Sequence, residues 1–131
     1  MNKIFIDTSY IVGLLVEKDQ WHNQAFNLIP KIDKKDKITC ISVINESITL
    51  INKKIGVEAS KKAHKILLDN FIILEEDMDL YNESMNLLIK YHNLSLTDSI
   101  ILKLMNKHDI IELVSFDTDF DKINGIVRIY K

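Results

Sequence analysis

The sequence is poor in the residues that make proteins fibrous, disordered or disulfide-bonded. Among its 131 residues are 3 glycines, 1 proline and 1 cysteine, and aromatic residues make up 8%. The scarcity of glycine and proline excludes collagen-like and low-complexity chains. Cys40 has no second cysteine with which to form an internal disulfide, which favours a reducing compartment. We therefore expect a cytoplasmic protein.

The chain also lacks a long apolar run and an excess of basic residues. No stretch approaches the roughly 18–20 apolar residues of a membrane span. The apolar N-terminal run is interrupted by Asp7, and no small-residue cleavage site follows it. The net charge is −2, and Arg128 is the only arginine among 17 basic residues. We expect a soluble protein with no membrane segment, in which overall charge gives no indication of nucleic-acid binding.

What is present is the composition of an ordinary globular domain, with 47% hydrophobic and 27% charged residues. A chain of this length buries roughly 65–70% of the surface exposed by its unfolded form, so it needs no disulfide or structural metal to fold. No repeat, linker or low-complexity tract divides it. We expect a single domain over residues 1–131.

Short apolar runs alternate with segments of helical spacing. The predicted strands are 3–6, 37–42, 71–74, 110–116 and 126–129, and the predicted helices are 8–15, 21–32, 43–55, 58–69, 78–91 and 95–105. We expect Pro30 to end or bend the second helix, and Gly56 to end the third. The apolar face of helix 78–91 is expected at Tyr81, Met85, Leu88 and Ile89. Continuously apolar strands between helices predict an α/β fold, a three-layer α/β/α sandwich around a parallel sheet of about five strands.

Acidic residues lie where several of these strands end. Asp7 follows the first strand, Glu46 lies one turn into the helix after the second, and Asp117 and Asp119 follow the fourth. Asp98 is near the start of the helix that precedes the fourth strand. Ligands of open α/β sheets bind beyond the carboxyl ends of the strands, so these carboxylates could share one site.

Each carboxylate also has a purely structural interpretation. Asp7 could cap a helix, Ser95 and Asp98 have nearly the spacing of a capping box, Glu46 could lie on the surface, and Asp117, Asp119 and Asp121 could form a solvated turn. Their apolar flanks favour a cluster. Clustered carboxylates resist ionising unless a cation neutralises them, and oxygen ligands suit Mg²⁺ or Mn²⁺. Neither the four histidines nor Cys40 has the spacing of zinc ligands.

Four short segments resemble the motifs of PIN-domain nucleases, in order and in relation to the strands. They are Ile4–Ser9 (IFIDTS), Ser42–Glu46 (SVINE), Leu96–Ser99 (LTDS) and Ser115–Asp121 (SFDTDFD), the last followed by Gly125 and Ile126. Together they extend over almost the whole chain. Within the family, the sequence looks most like the VapC-type toxins of prokaryotic toxin–antitoxin pairs.

The resemblance implies a Mg²⁺- or Mn²⁺-dependent endoribonuclease. Its catalytic and metal-binding residues would be Asp7, Glu46, Asp98 and Asp117, with Asp7 and Asp98 the best candidates for direct metal ligation. Asp119 matches a further, more variable acidic position, and Thr8 and Ser115 match hydroxyl positions that orient carboxylates or water. The implied partners are an RNA substrate, a VapB-type antitoxin and a second copy of the chain in a homodimer.

Other residues are candidates for binding these partners. The lysine groups Lys31, Lys34, Lys35, Lys37 and Lys53, Lys54, Lys61, Lys62 could attract the RNA backbone, although charge runs are more often plain solvated surface. Tyr10 and Trp21 could stack on bases, or belong to the core. Protein contacts could come from apolar residues of the first helices, or these too could be core: Ile11, Leu14, Leu15, Trp21 and Phe26.

Three alternatives remain open from the sequence. The chain could be a stand-alone RNA-processing PIN nuclease, or a PIN scaffold that binds RNA or protein without catalysis. A phosphotransfer domain of the haloacid-dehalogenase or receiver type also places an aspartate after the first strand. The former needs two aspartates there, separated by one residue, whereas Asp7-Thr8-Ser9 has only one. The latter needs a lysine after a later strand, and no suitable one is evident.

Overall fold

Five strands and six helices follow one another across residues 2–131, which the computed structural model describes. The strands are β1 (Lys3–Ile6), β2 (Asp36–Cys40), β3 (Ile72–Leu74), β4 (Glu112–Val114) and β5 (Val127–Ile129). The helices are α1 (Thr8–Leu15), α2 (His22–Ile32), α3 (Ile41–Ile55), α4 (Val57–Asn70), α5 (Met78–Lys90) and α6 (Leu96–Lys107), and a 3₁₀ turn spans Thr118–Lys122. Within this range no helix is long and apolar enough to cross a membrane.

All the strands form one parallel sheet in the order β3-β2-β1-β4-β5. β1 is central because Ile4, Phe5 and Ile6 are each fully buried, which requires cover on both faces of the sheet. Helices supply that cover, as expected for parallel strands joined by crossovers. The predicted α/β class and the parallel sheet of five strands are confirmed.

Two predicted strands end two residues early in the structure. α3 begins at Ile41, directly after Cys40, so the strand predicted at 37–42 ends two residues early. The strand predicted at 110–116 is regular only over Glu112–Val114. In both cases the strand ends shortly before a motif: Ser42 lies in the first turn of α3, and Ser115 and Asp117 lie in the turn after β4.

Three further expectations differ from the structure. α2 continues for two residues past Pro30, which is near enough to the helix end to disturb few hydrogen bonds. β3 is an edge strand, and Ile72 is exposed where a buried strand was predicted. On α5, Met85 and Ile89 face solvent, and the fully buried positions are Leu80 and Ser84. Ser84 is tolerated there because its hydroxyl donates to the Leu80 carbonyl, at 2.7 Å.

A helical hairpin is held against the first helix by a small core of its own. Gly56 lies between α3 and α4 with φ of +96°, a conformation that other residues rarely adopt, and it ends α3 as predicted. Val12 and Val16 from the first helix pack with Ile51 and Ala63 from the hairpin. This contact fixes the helix that carries Glu46 relative to the helix that follows Asp7.

Candidate active site

Asp7 lies at the carboxyl end of the central strand and is only 5% exposed. Its backbone N–H donates to the Val114 carbonyl at 3.1 Å, which joins the end of β1 to the end of β4. Its carboxylate accepts hydrogen bonds from the Thr8 backbone N–H (2.8 Å), the Ser9 hydroxyl (3.1 Å) and the Ser115 hydroxyl (2.7 Å). The side chain is therefore held in one orientation by donors from two neighbouring strand ends.

Burial disfavours the charged form of Asp7. It raises the pKa of Asp7, and the negative charge of Glu46 raises it further. The hydrogen bonds from Ser115, Thr8 and Ser9 lower the same pKa but do not fully compensate. Asp7 is a carboxylate whose anionic form would be stabilised by a cation placed beside it.

Asp98 lies at the start of α6, close enough to Asp7 for the charge of Asp7 to affect its pKa. Burial raises the pKa of Asp98 to about 7, with further contributions from the charges of Asp7 and then Asp117. The capping box anticipated from the sequence is also present: Ser95 Oγ accepts from the Asp98 N–H at 3.1 Å, and Asp98 Oδ2 accepts from the Ser95 N–H at 3.3 Å. The structural role and the clustering with other acids therefore coexist.

Asp117 and Asp119 occupy the turn after β4. The Asp117 N–H donates to Ser115 Oγ at 3.0 Å, and Asp117 Oδ1 accepts from the Asp119 N–H at 2.9 Å. Ser115 thus contacts both Asp7 and the backbone of Asp117. Asp119 is half-buried in this turn and contributes its backbone N–H to the bond with Asp117.

Glu46 is the most exposed member of the group. It lines an open groove together with Ser42, Asn45 and Thr49 of α3, and with Thr97 of α6. Since Thr97 directly precedes Asp98, the groove connects the helix that carries Glu46 with the start of the helix that carries Asp98. All five lining residues carry a polar group on the side chain that could contact a solvated ligand.

The donor set suits a hard divalent cation, although the side chains are not drawn together around one. As they stand in residues 2–131, no three His, Cys, Asp or Glu side chains are close enough to hold a metal ion. The pKa of Asp7 is raised by the charge of Glu46, and that of Asp98 by the charges of Asp7 and Asp117, so the four carboxylates share one electrostatic environment. Carboxylate oxygens in such a group are ligands for Mg²⁺ or Mn²⁺.

The lysine run before β2 is not at this site. Lys37 pairs with Ile4 near the start of β1, at the amino ends of the strands, whereas the carboxylates lie at the carboxyl ends. Lys31 donates to the Lys131 carbonyl at 2.6 Å, and Lys35 forms an ion pair with Glu112 at 2.6 Å. This run therefore lies at the opposite edge of the sheet from the acidic residues, and an attraction between it and the RNA backbone stays a prediction.

The second lysine group lies at the end of α3 and on α4. Lys53 and Lys54 are in the last turn of α3, where positive charge favours a helix end, and Lys61 and Lys62 are exposed on α4. Lys53 is seven residues beyond Glu46, or about 10 Å along the helix axis. An electrostatic contribution to RNA binding from this group stays a prediction.

The aromatic candidates divide between core and surface. Tyr10 is 2% exposed and belongs to the core, so it cannot stack on a base. Trp21 is half-buried and stacks on Phe116, with ring centroids 5.1 Å apart and 14° between planes. Ile11 is likewise core, whereas Phe26 is 60% exposed and remains a candidate for protein contacts.

The sequence did not single out three residues that organise the site. The Ser9 hydroxyl donates a hydrogen bond to Asp7 and accepts one from the Phe116 N–H at 2.9 Å. Glu76 accepts from the Ser42 N–H (2.6 Å), the Ser42 hydroxyl (2.5 Å) and the Tyr81 hydroxyl (2.8 Å), which fixes the start of α3. Arg128 contacts the turn after β4. The only signals for them were the serine at the end of the first motif, an acidic pair after β3 and the solitary arginine.

Comparison with known proteins assigns the chain to a family. The PIN domain family matches residues 4–126, and the chain therefore belongs to that family. A sequence comparison with curated proteins gave no match. The predicted PIN domain is thus confirmed, and the match disfavours the phosphotransfer alternative.

Solved structures with the same fold include toxins and toxin–antitoxin complexes. The chain is similar to VapC20 of Mycobacterium tuberculosis, a sarcin-ricin loop cleaving toxin, with 26% identity, a TM-score of 0.88 and coverage of 98% of this chain and 100% of the other. A toxin–antitoxin complex from Klebsiella pneumoniae matches at 22% identity and TM-score 0.73, covering 95% and 96%. VapBC2 of Rickettsia felis, bound to a promoter DNA fragment, matches at 14% identity and a TM-score of 0.72, with coverage of 96% of this chain and 96% of the other. The predicted resemblance to VapC-type toxins is confirmed.

Proposed function

We propose that this chain is a Mg²⁺- or Mn²⁺-dependent endoribonuclease and the toxin of a VapBC-type pair. The main supporting observation is Asp7, a buried carboxylate at the end of the central strand, whose pKa is raised by burial and by Glu46. Asp98 and Asp117 belong to the same electrostatic group. Such a concentration of negative charge destabilises the fold unless a bound cation neutralises it. Divalent cations promote phosphodiester hydrolysis.

In this proposal, Asp7 and Asp98 hold the metal, with Glu46 and Asp117 completing the acidic site. The bound ion would supply a stronger water nucleophile and would stabilise negative charge on the phosphate. Ser115 and Ser9 orient the Asp7 carboxylate through their hydroxyls, and Thr8 orients it through its backbone N–H. The hydroxyl of Thr8 is buried and has no hydrogen-bond partner among residues 2–131, which suits the predicted role in orienting water or a ligand. Asp119 would support the turn that carries Asp117, because its backbone N–H donates to the Asp117 carboxylate.

The partners follow from the same relatives. RNA would enter along the polar groove that Glu46 and Thr97 line. A VapB-type antitoxin is supported by the complexes of K. pneumoniae and R. felis, and a homodimer is proposed with it. The site of action would be the cytoplasm, in keeping with the lone, buried thiol of Cys40.

Cleavage of RNA by the antitoxin-free protein tests the proposal. Incubation with total tRNA and with ribosomal RNA fragments should give discrete products in Mn²⁺ or Mg²⁺, and EDTA should stop the reaction because the carboxylates alone repel the phosphates. Metal-independent RNA binding without cleavage would instead support a non-catalytic scaffold.

A second assay separates a toxin from an RNA-processing nuclease. Expression of the chain should arrest growth, and a small protein encoded beside it should copurify and relieve the arrest. Cleavage in vitro without growth arrest would favour the stand-alone processing enzyme.

A further inference from the structure

Arg128, the only arginine, is built into the turn after β4. Its side chain is 8% exposed. The guanidinium makes a two-pronged contact with Asp121, with Nε 2.7 Å from Oδ1 and Nη2 3.0 Å from Oδ2. Nη1 donates to the Ser115 carbonyl at 3.1 Å. One side chain therefore joins the two ends of the segment 115–121.

The segment that Arg128 closes contains the groups that contact Asp7 from the β4 side. Ser115 Oγ donates to Asp7 Oδ2 at 2.7 Å and accepts from the Asp117 N–H at 3.0 Å. Displacement of the Ser115 backbone would therefore move both the Ser115 hydroxyl, which donates to Asp7, and the backbone of Asp117. The turn itself contains a short 3₁₀ segment, whose hydrogen bonds have poorer geometry than those of an α-helix, so outside contacts such as those of Arg128 and Ser9 contribute to holding it.

The surroundings of Arg128 argue against a direct role in binding phosphate. Each of its three nitrogens donates to Asp121 or to the Ser115 carbonyl, and the Tyr130 ring covers the guanidinium at 4.0 Å. A phosphate-binding arginine would need donors directed toward the groove. The planar, forked geometry of the contact is one that arginine makes and lysine does not.

We infer that Arg128, paired with Asp121, is a positioning residue that sets the geometry of the acidic site by clamping the segment 115–121. This inference rests on the proposed metal-dependent nuclease. Groups that orient metal ligands from outside typically change metal affinity by about 10–100-fold when they are removed. Arg128→Lys should accordingly weaken Mn²⁺ binding by about 10-fold and lower kcat, with an unchanged KM for RNA.

The test compares Arg128→Lys with a matched loss of an ion pair elsewhere. Lys35→Met removes the Lys35–Glu112 pair at the opposite end of the sheet, and it controls for general destabilisation. Mn²⁺ affinity is measured by calorimetry, and amide hydrogen exchange is followed at Asp117 and Asp119 in metal-free protein. Both readouts are independent of RNA cleavage, so they remain informative if the nuclease assay fails.

Faster exchange at those amides and weaker Mn²⁺ binding in Arg128→Lys alone would support the inference. Asp121→Asn should reproduce both effects, and the double variant should be no worse than either single one, because the two residues act as a unit. Unchanged Mn²⁺ affinity and exchange would overturn the inference, as would equal losses in Lys35→Met. A raised KM with unchanged kcat would also overturn it, since Arg128 would then contact RNA.

Discussion

Asp7→Asn is expected to lower the rate of RNA cleavage by at least about 100-fold while the chain still folds. The substitution removes a negative charge from the centre of the acidic group, and a neutral amide is a much poorer ligand for a hard divalent cation. Folding should survive because asparagine is nearly isosteric. Its amide group can still accept from Thr8 and can exchange hydrogen bonds with the serine hydroxyls.

The matched control for this variant is Asp36→Asn. Asp36 is an exposed aspartate at the amino end of β2, so the same chemical change is made at the far end of the sheet. We expect cleavage by this control at the rate of the unaltered protein, under single-turnover conditions in Mn²⁺. Equal activity of Asp7→Asn and Asp36→Asn would remove Asp7 from the mechanism.

The second large effect is a gain in stability. Asp98→Asn should raise the free energy of unfolding of the metal-free protein by about 1–3 kcal/mol at pH 8, a figure reduced from the full pKa shift to allow for solvent screening. The reason is that burial and the charges of Asp7 and Asp117 disfavour the Asp98 carboxylate in the folded state. Asparagine keeps an oxygen that can accept the Ser95 N–H and complete the capping box.

The sign of the pH dependence follows from the direction of the shift. The pKa of Asp98 is about 7 in the folded protein and 3.8 as the ordinary value. Below the ordinary value both states are protonated, and the group has no net effect. As pH rises toward 7 the unfolded chain has released the proton that the folded chain still holds, so stability falls; above 7 the loss is complete.

Urea unfolding of the two proteins in EDTA, from pH 3.5 to pH 8.5, measures this difference. The stability advantage of Asp98→Asn should be absent at the acid end, grow between about pH 4 and pH 7, and then stay constant. An advantage that is equal at every pH, or that shrinks as pH rises, would show that the charged form of Asp98 is not disfavoured in the folded state as described above. The same variant should lose cleavage.

The sequence was sufficient to place the acidic residues because parallel-sheet topology follows from local patterns. Apolar runs that alternate with helices require crossovers, and crossovers bring all carboxyl ends to one edge. That is why Asp7 and Asp117, separated by 110 residues along the chain, could be expected near each other. The capping interpretation of Asp98 was also correct, and it did not compete with the clustering.

Interactions between side chains distant in sequence could not be anticipated in the same way. The contact of Arg128 with the Ser115 carbonyl depends on the register of β5 against β4, which composition does not report. The burial of Ser84 in place of Met85 depends on how α5 rotates against α6, and a serine that satisfies its own hydroxyl can face inward.

Direct titration with Mn²⁺ tests the central claim, that the carboxylates at the strand ends form a metal site. Calorimetry of the unaltered protein at pH 7.5 should give a saturable binding isotherm, and Asp36→Asn should give the same one. Asp7→Asn and Asp98→Asn should each bind at least about 10-fold more weakly, because each removes a charged ligand. Equal affinity in all four proteins, or no saturable binding by the unaltered protein, would contradict the account.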